Sequence, residues 1–485
     1  MPAPRSRFIL AAAATSLSVV LAACGSQLDP NEVRALNGQT DQAGIPGAAA
    51  TPGAPASPGA QQPGAAGAPA GSSGGPTANA APGAGSGTTP GAAPGAGHHP
   101  GTPADNCAGF DNAQPGVSDS KIVIANSSDI SGPVPGLFQS AQDATKAFVA
   151  YFNASGQTIC GHRLELMALD SRTDAGSDQQ SYQQACESAF AAVGSMSAFD
   201  SGGAGTAQSC GLPDLRSAAV TTERNNCTTC FGTESTNTNA FENAVPDYTL
   251  KYYHPASQAA AFLYINAGAA AQNAQVSVSA LGKRGMKFVY VQGIDVSDLN
   301  YTPYVQQMED KGVRYVQYLG DYTGAVKLAQ AMEQQGFKPD VFMLDPTGYN
   351  ANYIRTGGSA VEGTTAYINF VPFETMNTSP EETLYYQWLQ QVRPGAEPTF
   401  FGLFAWSAAR LFTEQAQGLG GKLNRASLIE KLRGVNGWTD HNLHAPQYIG
   451  SKRVSDCWRF MQVKSGRWVP VGGTSYWCHG VTPVN

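Results

Sequence analysis

The sequence predicts an α/β protein of two lobes, each a mainly parallel sheet flanked by helices, behind a long disordered N-terminal linker. Three observations predict it. Short β-rich runs alternate with stretches of helical period from residue 121 to 344. That series restarts once, near residue 286, which divides it into two βαβ sets. The segment from about Gly44 to Ala104 is almost wholly Gly, Ala, Pro, Ser and Thr, with no charged residue. Such a segment has almost nothing large to bury and cannot offset the entropy lost on folding.

The N-terminus carries Arg5 and Arg7, then the apolar run Phe8 to Leu21, then small residues before Cys24. A basic segment, a short apolar segment and a small-residue exit form an export signal, here residues 1–23. The apolar run is short for a bilayer span, so removal is expected. Leu21-Ala22-Ala23-Cys24 resembles the lipobox of bacterial lipoproteins, which implies cleavage before Cys24 and its acylation. As a coil of about sixty residues, the Gly44–Ala104 part of the following linker (24–106 with the anchor) spans about 45 Å on average. His98 and His99 lie inside it and read as solvated linker residues rather than metal ligands. The expected location is extracytoplasmic, lipid-anchored to the bacterial cell membrane.

Charge is consistent with that location. The chain has 29 basic and 36 acidic residues and a formal net charge of −7, without basic runs. That balance argues against nucleic-acid binding and against adhesion to anionic lipid.

Eight cysteines follow Cys24. An even number in an exported chain suggests disulfides. The expected pairs are Cys107–Cys160, Cys186–Cys210, Cys227–Cys230 and Cys457–Cys478, because each pair is close in the order of elements below. Cys227-Thr-Thr-Cys230 also admits a metal or redox reading, but a lone CxxC without a second pair or a nearby His is weak for zinc.

The elements follow in order. "KIVIA" (121–125) is a strand, and a helix near 138–153 places Ala141, Ala144, Phe148 and Phe152 on one stripe before Gly156. "RLELMAL" (163–169) is a strand, followed by a helix near 178–194, the strand "MSAF" (196–199), a short helix and the strand "SAAVT" (217–221). A long helix is expected around 255–280. "MKFVYV" (286–291), a helix with Pro303 in its first turn, "VRYVQY" (313–318), another helix and "VFML" (341–344) complete the second series. "TTAYINF" (364–370) precedes helices at 379–392, 400–418 and 424–434, and "CWRFMQV" with "RWVPV" forms a terminal hairpin. A tail of this kind is easiest to place if the chain crosses between lobes several times, which makes a hinge. The cleft then lies at the carboxyl ends of the strands.

"IVIANSSDISGPVPGLFQSAQDATKAFVAYFNASG" (122–156) resembles the first strand, Ser-Gly-Pro loop and helix of the periplasmic leucine/isoleucine/valine-binding family. "MLDPTGYN" (343–350), "AVEGTTAYINFVPF" (360–373) and "TFFGLFAWSAARLF" (399–412) are similar to later family segments in the same order. The resemblance covers most of residues 117–470. It implies a type 1 periplasmic-binding-protein clamshell: a monomeric solute-binding lipoprotein of an ABC importer, with permease and ATPase partners and no cofactor. It places crossings near 243–249, 369–373 and 446–452, hence one lobe of 107–248 and 372–448 and a second of 249–371 and 449–485.

Candidate ligand contacts come from loops after the strands. Ser127, Ser128 and Ser131 offer hydroxyls, with Gly132 and Gly136 beside them and Phe138 as a lid. Ser201, Gly202 and Gly203 precede a helix, whose bare N–H groups favour an anion. Thr221 and Thr222 end a strand, and the second lobe contributes Tyr301, Asp321, Tyr322, Asp345 and Thr347. Relatives that bind amino acids pair the ligand ammonium with an acidic side chain, and Thr347 aligns with that position. The substitution removes a contact of about 1.5–3 kcal/mol. A short carboxylic acid, an amide or an aromatic acid is therefore expected, with Asp345, Asp321 or Asp200 as alternative ammonium partners.

Two rivals are weighed. "DSGG" (200–203) with His162 is reminiscent of a serine hydrolase, but the β/α alternation is wrong for that fold and no enzyme is expected. A sensor or envelope interaction protein on the same clamshell differs only in its partner. His441 and His444 form an HxxH spacing beside Asp440, which reads as a surface loop for want of a fourth ligand.

Overall fold

A computed structural model describes residues 104–375 and 379–484. The export signal, Cys24, the linker up to residue 103 and the pair His98–His99 lie outside the described residues.

The first sheet contains β1 (Lys121–Ser128), β2 (Arg163–Asp170), β3 (Ala191–Val193), β4 (Asp214–Ala218) and β5 (Cys230–Glu234). They are all parallel, in the order β2-β1-β3-β4-β5. A short strand β6 (Ala240–Glu242) follows. The second sheet contains β7 (Ala260–Ile265), β8 (Phe288–Ile294), β9 (Tyr315–Leu319), β10 (Val341–Leu344) and β11 (Thr365–Ile368), joined by β12 (Cys457–Lys464) and β13 (Arg467–Val471). Its order is β13-β12-β11-β10-β9-β7-β8, parallel except at the antiparallel β12 and β13. β14 (Trp477–Cys478) pairs with β12, and β15 (Val481–Pro483) pairs with β6. Two mainly parallel sheets with helices between their strands are the expected fold class.

Local chemistry sets the boundaries. Asp174, Asp321, Ser379 and Thr399 each cap a helix by accepting from a backbone N–H of its first turn. Gly336 ends the helix Tyr322–Gln335 in the left-handed conformation, which suits glycine. The helix Phe400–Leu419 is apolar nearly all round because it is buried, packing on β4 and on the helix Gln139–Ala154.

Four expected elements differ. The helix expected at 178–194 is Ala175–Ser188, because "AAV" belongs to β3. "MSAF" is a loop touching β1 only through the bridge of Met196 to Ser128. The strand expected at 217–221 runs from Asp214 to Ala218. The long helix expected around 255–280 contains β7, and its helix begins only at Ala269. Alanine-rich runs read as helix by propensity, but Ala260 and Ala261 are fully buried mid-sheet, where packing overrides propensity.

All four disulfides join the expected pairs, Cys107–Cys160, Cys186–Cys210, Cys227–Cys230 and Cys457–Cys478. Among the described residues no helix is long and apolar enough to cross a membrane.

Three chain passes link the sheets. The first follows β5, ahead of the expected 243–249: Ala244, Val245 and Tyr248 already pack with Phe262, Trp458 and Phe460 of the second sheet. The second follows β11, and the third precedes β12. They are bonded to one another. Ser235 N donates to Gln447 Oε1 (2.9 Å), Tyr448 N to Ser235 Oγ (2.6 Å), and Ala445 N to the Asn369 carbonyl (2.7 Å). The passes therefore form a joint, not three separate loops.

Candidate functional site

Beside this joint lies a cavity of about 990 Å³, lined from both sheets. Its walls start where strands end. Met196, Ala198 and Phe199 follow β3, Val220 follows β4, and Ser235 to Asn237 follow β5. From the second sheet, Ala267 follows β7, Val296 follows β8, Gly320 to Gly324 follow β9, and Asp345 to Thr347 follow β10. This is the carboxyl-end crevice expected of α/β sheets. Its volume matches a site for one small organic molecule.

Six predicted residues line it: Phe138, Tyr301, Asp321, Tyr322, Asp345 and Thr347. Phe138 packs edge-on against Phe401, also on the wall, with ring centroids 4.8 Å apart. Thr347 Oγ1 donates to Asp345 Oδ1 (2.6 Å) and lies equally close to the Gly320 carbonyl. A carboxyl group two residues before 347 thus lies on the same wall. Asp321 Oδ1 accepts from Thr323 N (2.8 Å) and Gly324 N (3.2 Å), so part of its capacity is taken by the helix it caps.

The other eight predicted contacts do not line the cavity. Ser127 and Ser128 are buried, with Ser127 N donating to Ser195 Oγ and Ser128 Oγ to Asn126 Oδ1. Ser131 Oγ donates to Asp170 Oδ2 at 2.5 Å. The loops around these serines are pinned by buried Asp129, which accepts from Ser171 Oγ, Ser197 Oγ, Thr173 N and Ala198 N. Gly202 and Gly203 serve helix packing. A Cβ on Gly202 would stand 1.9 Å from the Ala175 carbonyl, and one on Gly203 would stand 2.3 Å from the Tyr182 ring. Gly203 N donates to Asp178 Oδ2, and Thr221 Oγ1 donates to Asp200 Oδ1. Those acids belong to a fully buried network with Arg216, Arg224 and Asp214. Ser201 is the first residue of the helix Ser201–Ser209 and does not line the cavity. Thr222 Oγ1 bonds Thr238 Oγ1 at 2.9 Å. Asp200, an alternative ammonium partner by sequence, is occupied by this network rather than by the cavity.

Neither the serine-hydrolase reading nor a metal site at the HxxH spacing assembles. The His162 ring nitrogens bond Asn112 Oδ1 and the carbonyls of Ile159 and Cys160, not Ser201. His444 is buried between Ser407 Oγ and the Ala445 carbonyl, and burial pushes its pKa down to about 4. His441 faces Glu414 instead (2.8 Å), so the two histidines share no ligand position. Glu381, Asp440 and His441 do converge outside the cleft, but Arg410 holds Glu381 through Nε and Nη2.

Sequence reasoning missed two kinds of wall residue. The apolar set Leu137, Met196, Phe199, Val220, Ile265 and Trp458 carried no polar signal. Glu234 and Glu242 were also missed, since each stands beside or within a short strand that the period analysis left unassigned. Both are buried, and burial pushes each carboxyl up to about 8, against an Asn369 hydrogen bond for Glu234 and the Val245 and Ala244 N–H groups for Glu242. Burial likewise raises Asp345 to about 7, against its Thr347 hydrogen bonds.

A family model described as periplasmic binding protein matches residues 121–467. No curated protein matches the chain in sequence. Among solved structures, a solute-binding protein of an ABC transporter from R. palustris, in complex with 4-hydroxybenzoate, is 16% identical with a TM-score of 0.62, covering 74% of this chain and 98% of that one. A leucine-binding protein from Thermotoga maritima MSB8 is 13% identical with a TM-score of 0.60, covering 74% and 98%. A fatty acid ABC transporter substrate-binding protein from Thermomonospora curvata is 15% identical with a TM-score of 0.62, covering 75% and 94%. At these identities the likeness is one of fold.

Proposed function

This chain belongs to the periplasmic binding protein family, whose members bind solutes and are not enzymes, and from that premise we propose that it is the extracytoplasmic receptor of an ABC importer, tethered by lipid on Cys24. It captures a small organic solute, amino-acid-like or a carboxylate or amide, by closing its two lobes. One observation carries this reading: a cavity of about 990 Å³ is lined from the strand ends of both sheets, beside a joint of three bonded chain passes. A solute there touches one wall in the open form and both walls on closure, so binding shifts the population toward closure. The closed face is what a permease recognises, and the linker keeps the receptor near it by effective concentration.

Residues placed outside the cavity still act in this reading. Asp129 and the buried arginine–aspartate network hold the loops after β1, β3 and β4 in position. A wall of fixed loops loses less entropy on binding than a mobile one.

The test is mass spectrometry of small molecules released from the full chain on denaturation, with scattering before and after the released compound is returned. One stoichiometric compound that compacts the protein supports the reading. A protein that carries no solute and keeps its dimensions with every candidate contradicts it. The sensor alternative shares this cleft and differs in the partner, so uptake lost on gene deletion separates the two.

A further inference from the structure

The cavity has an unequal charge lining. Asp143 meets Arg393 at 2.6 Å and Glu397 meets Arg355 at 3.7 Å, so two wall acids already face wall bases. Glu234, Glu242, Asp321 and Asp345 remain, and Lys327 is the other base on the wall. Lys327 Nζ lies over the Tyr301 ring, 5.9 Å from its centroid. Three of the remaining acids, Glu234, Glu242 and Asp345, line the same cavity as Tyr367.

Tyr367 also centres an aromatic group on the same wall. Its ring stands edge-on to Trp458 at 5.3 Å and to Phe241 at 6.4 Å. All three aromatics line the cavity. Glu234 supplies a separate sign: among the described residues Oε2 is buried with no hydrogen-bond partner, and Oε1 accepts from Asn369 Nδ2 at 3.4 Å. A carboxylate with a free buried oxygen on a cavity wall is left for something that enters the cavity.

From the aromatic triad and the acids that share its cavity, Glu234 above all, we infer that the cleft selects an organic ammonium ion with an apolar body, its cationic head seated among Phe241, Tyr367 and Trp458. Aromatic faces and carboxylates both attract a cation, and the former do so without demanding a hydrogen-bond donor. The apolar walls from Leu137, Phe199 and Val220 take the body. Among the described wall residues, Arg355 and Arg393 are paired with acids and Lys327 stands over Tyr301, so a simple amine suits the head subsite better than a zwitterion. This inference rests on the receptor reading and replaces its carboxylate or amide ligand with an amine.

The test is calorimetry of the full chain, after removal of any bound solute, with benzyltrimethylammonium, phenethylamine, leucine and benzoate. The amines are expected to bind in preference to leucine and benzoate. Glu234→Gln, isosteric and therefore expected to fold, should weaken the amines about ten-fold or more. Phe241→Leu should weaken benzyltrimethylammonium more than phenethylamine, because the quaternary head has no N–H to give the carboxylates. Benzoate or leucine binding as tightly as the amines, or amine affinity unchanged by Glu234→Gln, overturns the ammonium inference. If the protein instead closes on a released anionic solute, the inference fails alone. If no solute binds or closes it, the receptor reading fails too.

Discussion

Replacing Glu234 by Gln should flatten the dependence of stability on pH. Glu234 is 2% exposed, and burial pushes its carboxyl from 4.5 to about 8, opposed only by the Asn369 hydrogen bond. Between those values the folded state holds a proton that the unfolded chain has lost. Stability therefore falls as pH rises through that window, by up to about 1.4 kcal/mol per pH unit for one such group. From about pH 5 to about pH 7.5 this amounts to roughly 3 kcal/mol. Glutamine resembles the protonated acid, so the variant should match the parent near the acid end and be more stable near neutrality by about 2–3 kcal/mol. Glu242 and Asp345 titrate in the same region and remain, so the slope should shrink without vanishing. Urea unfolding of ligand-free parent and variant at the two pH values measures it. A variant whose stability falls as steeply as the parent's, or which is less stable near neutrality, refutes the assignment of a buried carboxyl without a cation.

Gly203→Ala places a Cβ against the Tyr182 ring and Asp178 Oδ2, and should cost about 1–3 kcal/mol in thermal unfolding. Its solute affinity should hold, since Gly203 is off the cavity wall. Asp129→Ala strips acceptors from two hydroxyls and two backbone N–H groups, and should destabilise by about 3 kcal/mol or more while loosening the loops that carry Phe138 and Phe199. Ser131→Ala removes only the Asp170 hydrogen bond of an exposed residue, and isothermal titration should find solute affinity unchanged. Replacing Cys457 and Cys478 by serine opens a link across 21 residues and should lower stability by about 3 kcal/mol.

These variants also mark what the sequence makes legible. The alternation of strand and helix gave two parallel sheets because period and turn residues act locally, and the terminal hairpin was read for the same reason. β7 was hidden because "AAFLYI" sits beside an alanine-rich helix, and only the neighbouring strands β8 and β9 make it extended. The crevice itself was legible from the strand-end rule. Of the expected contacts, Phe138 beside the first sheet and Tyr301, Asp321, Tyr322, Asp345 and Thr347 beside the second line the cavity. In the first sheet, Ser131, Gly203 and Thr221 looked like ligand contacts but satisfy Asp170, Asp178 and Asp200, partners distant in sequence. The apolar residues between them, Met196, Phe199 and Val220, are the wall. Side-chain polarity alone does not say whether a hydroxyl turns to a ligand or to a buried carboxylate.

The central claim is that one solute is gripped by both sheets at once. A crystal structure of the protein with its own released solute tests it most directly. The account predicts that solute in contact with Phe138 or Phe199 from the first sheet and Tyr322 or Asp345 from the second in the same molecule. A solute held by one sheet alone, or bound away from the joint, contradicts it.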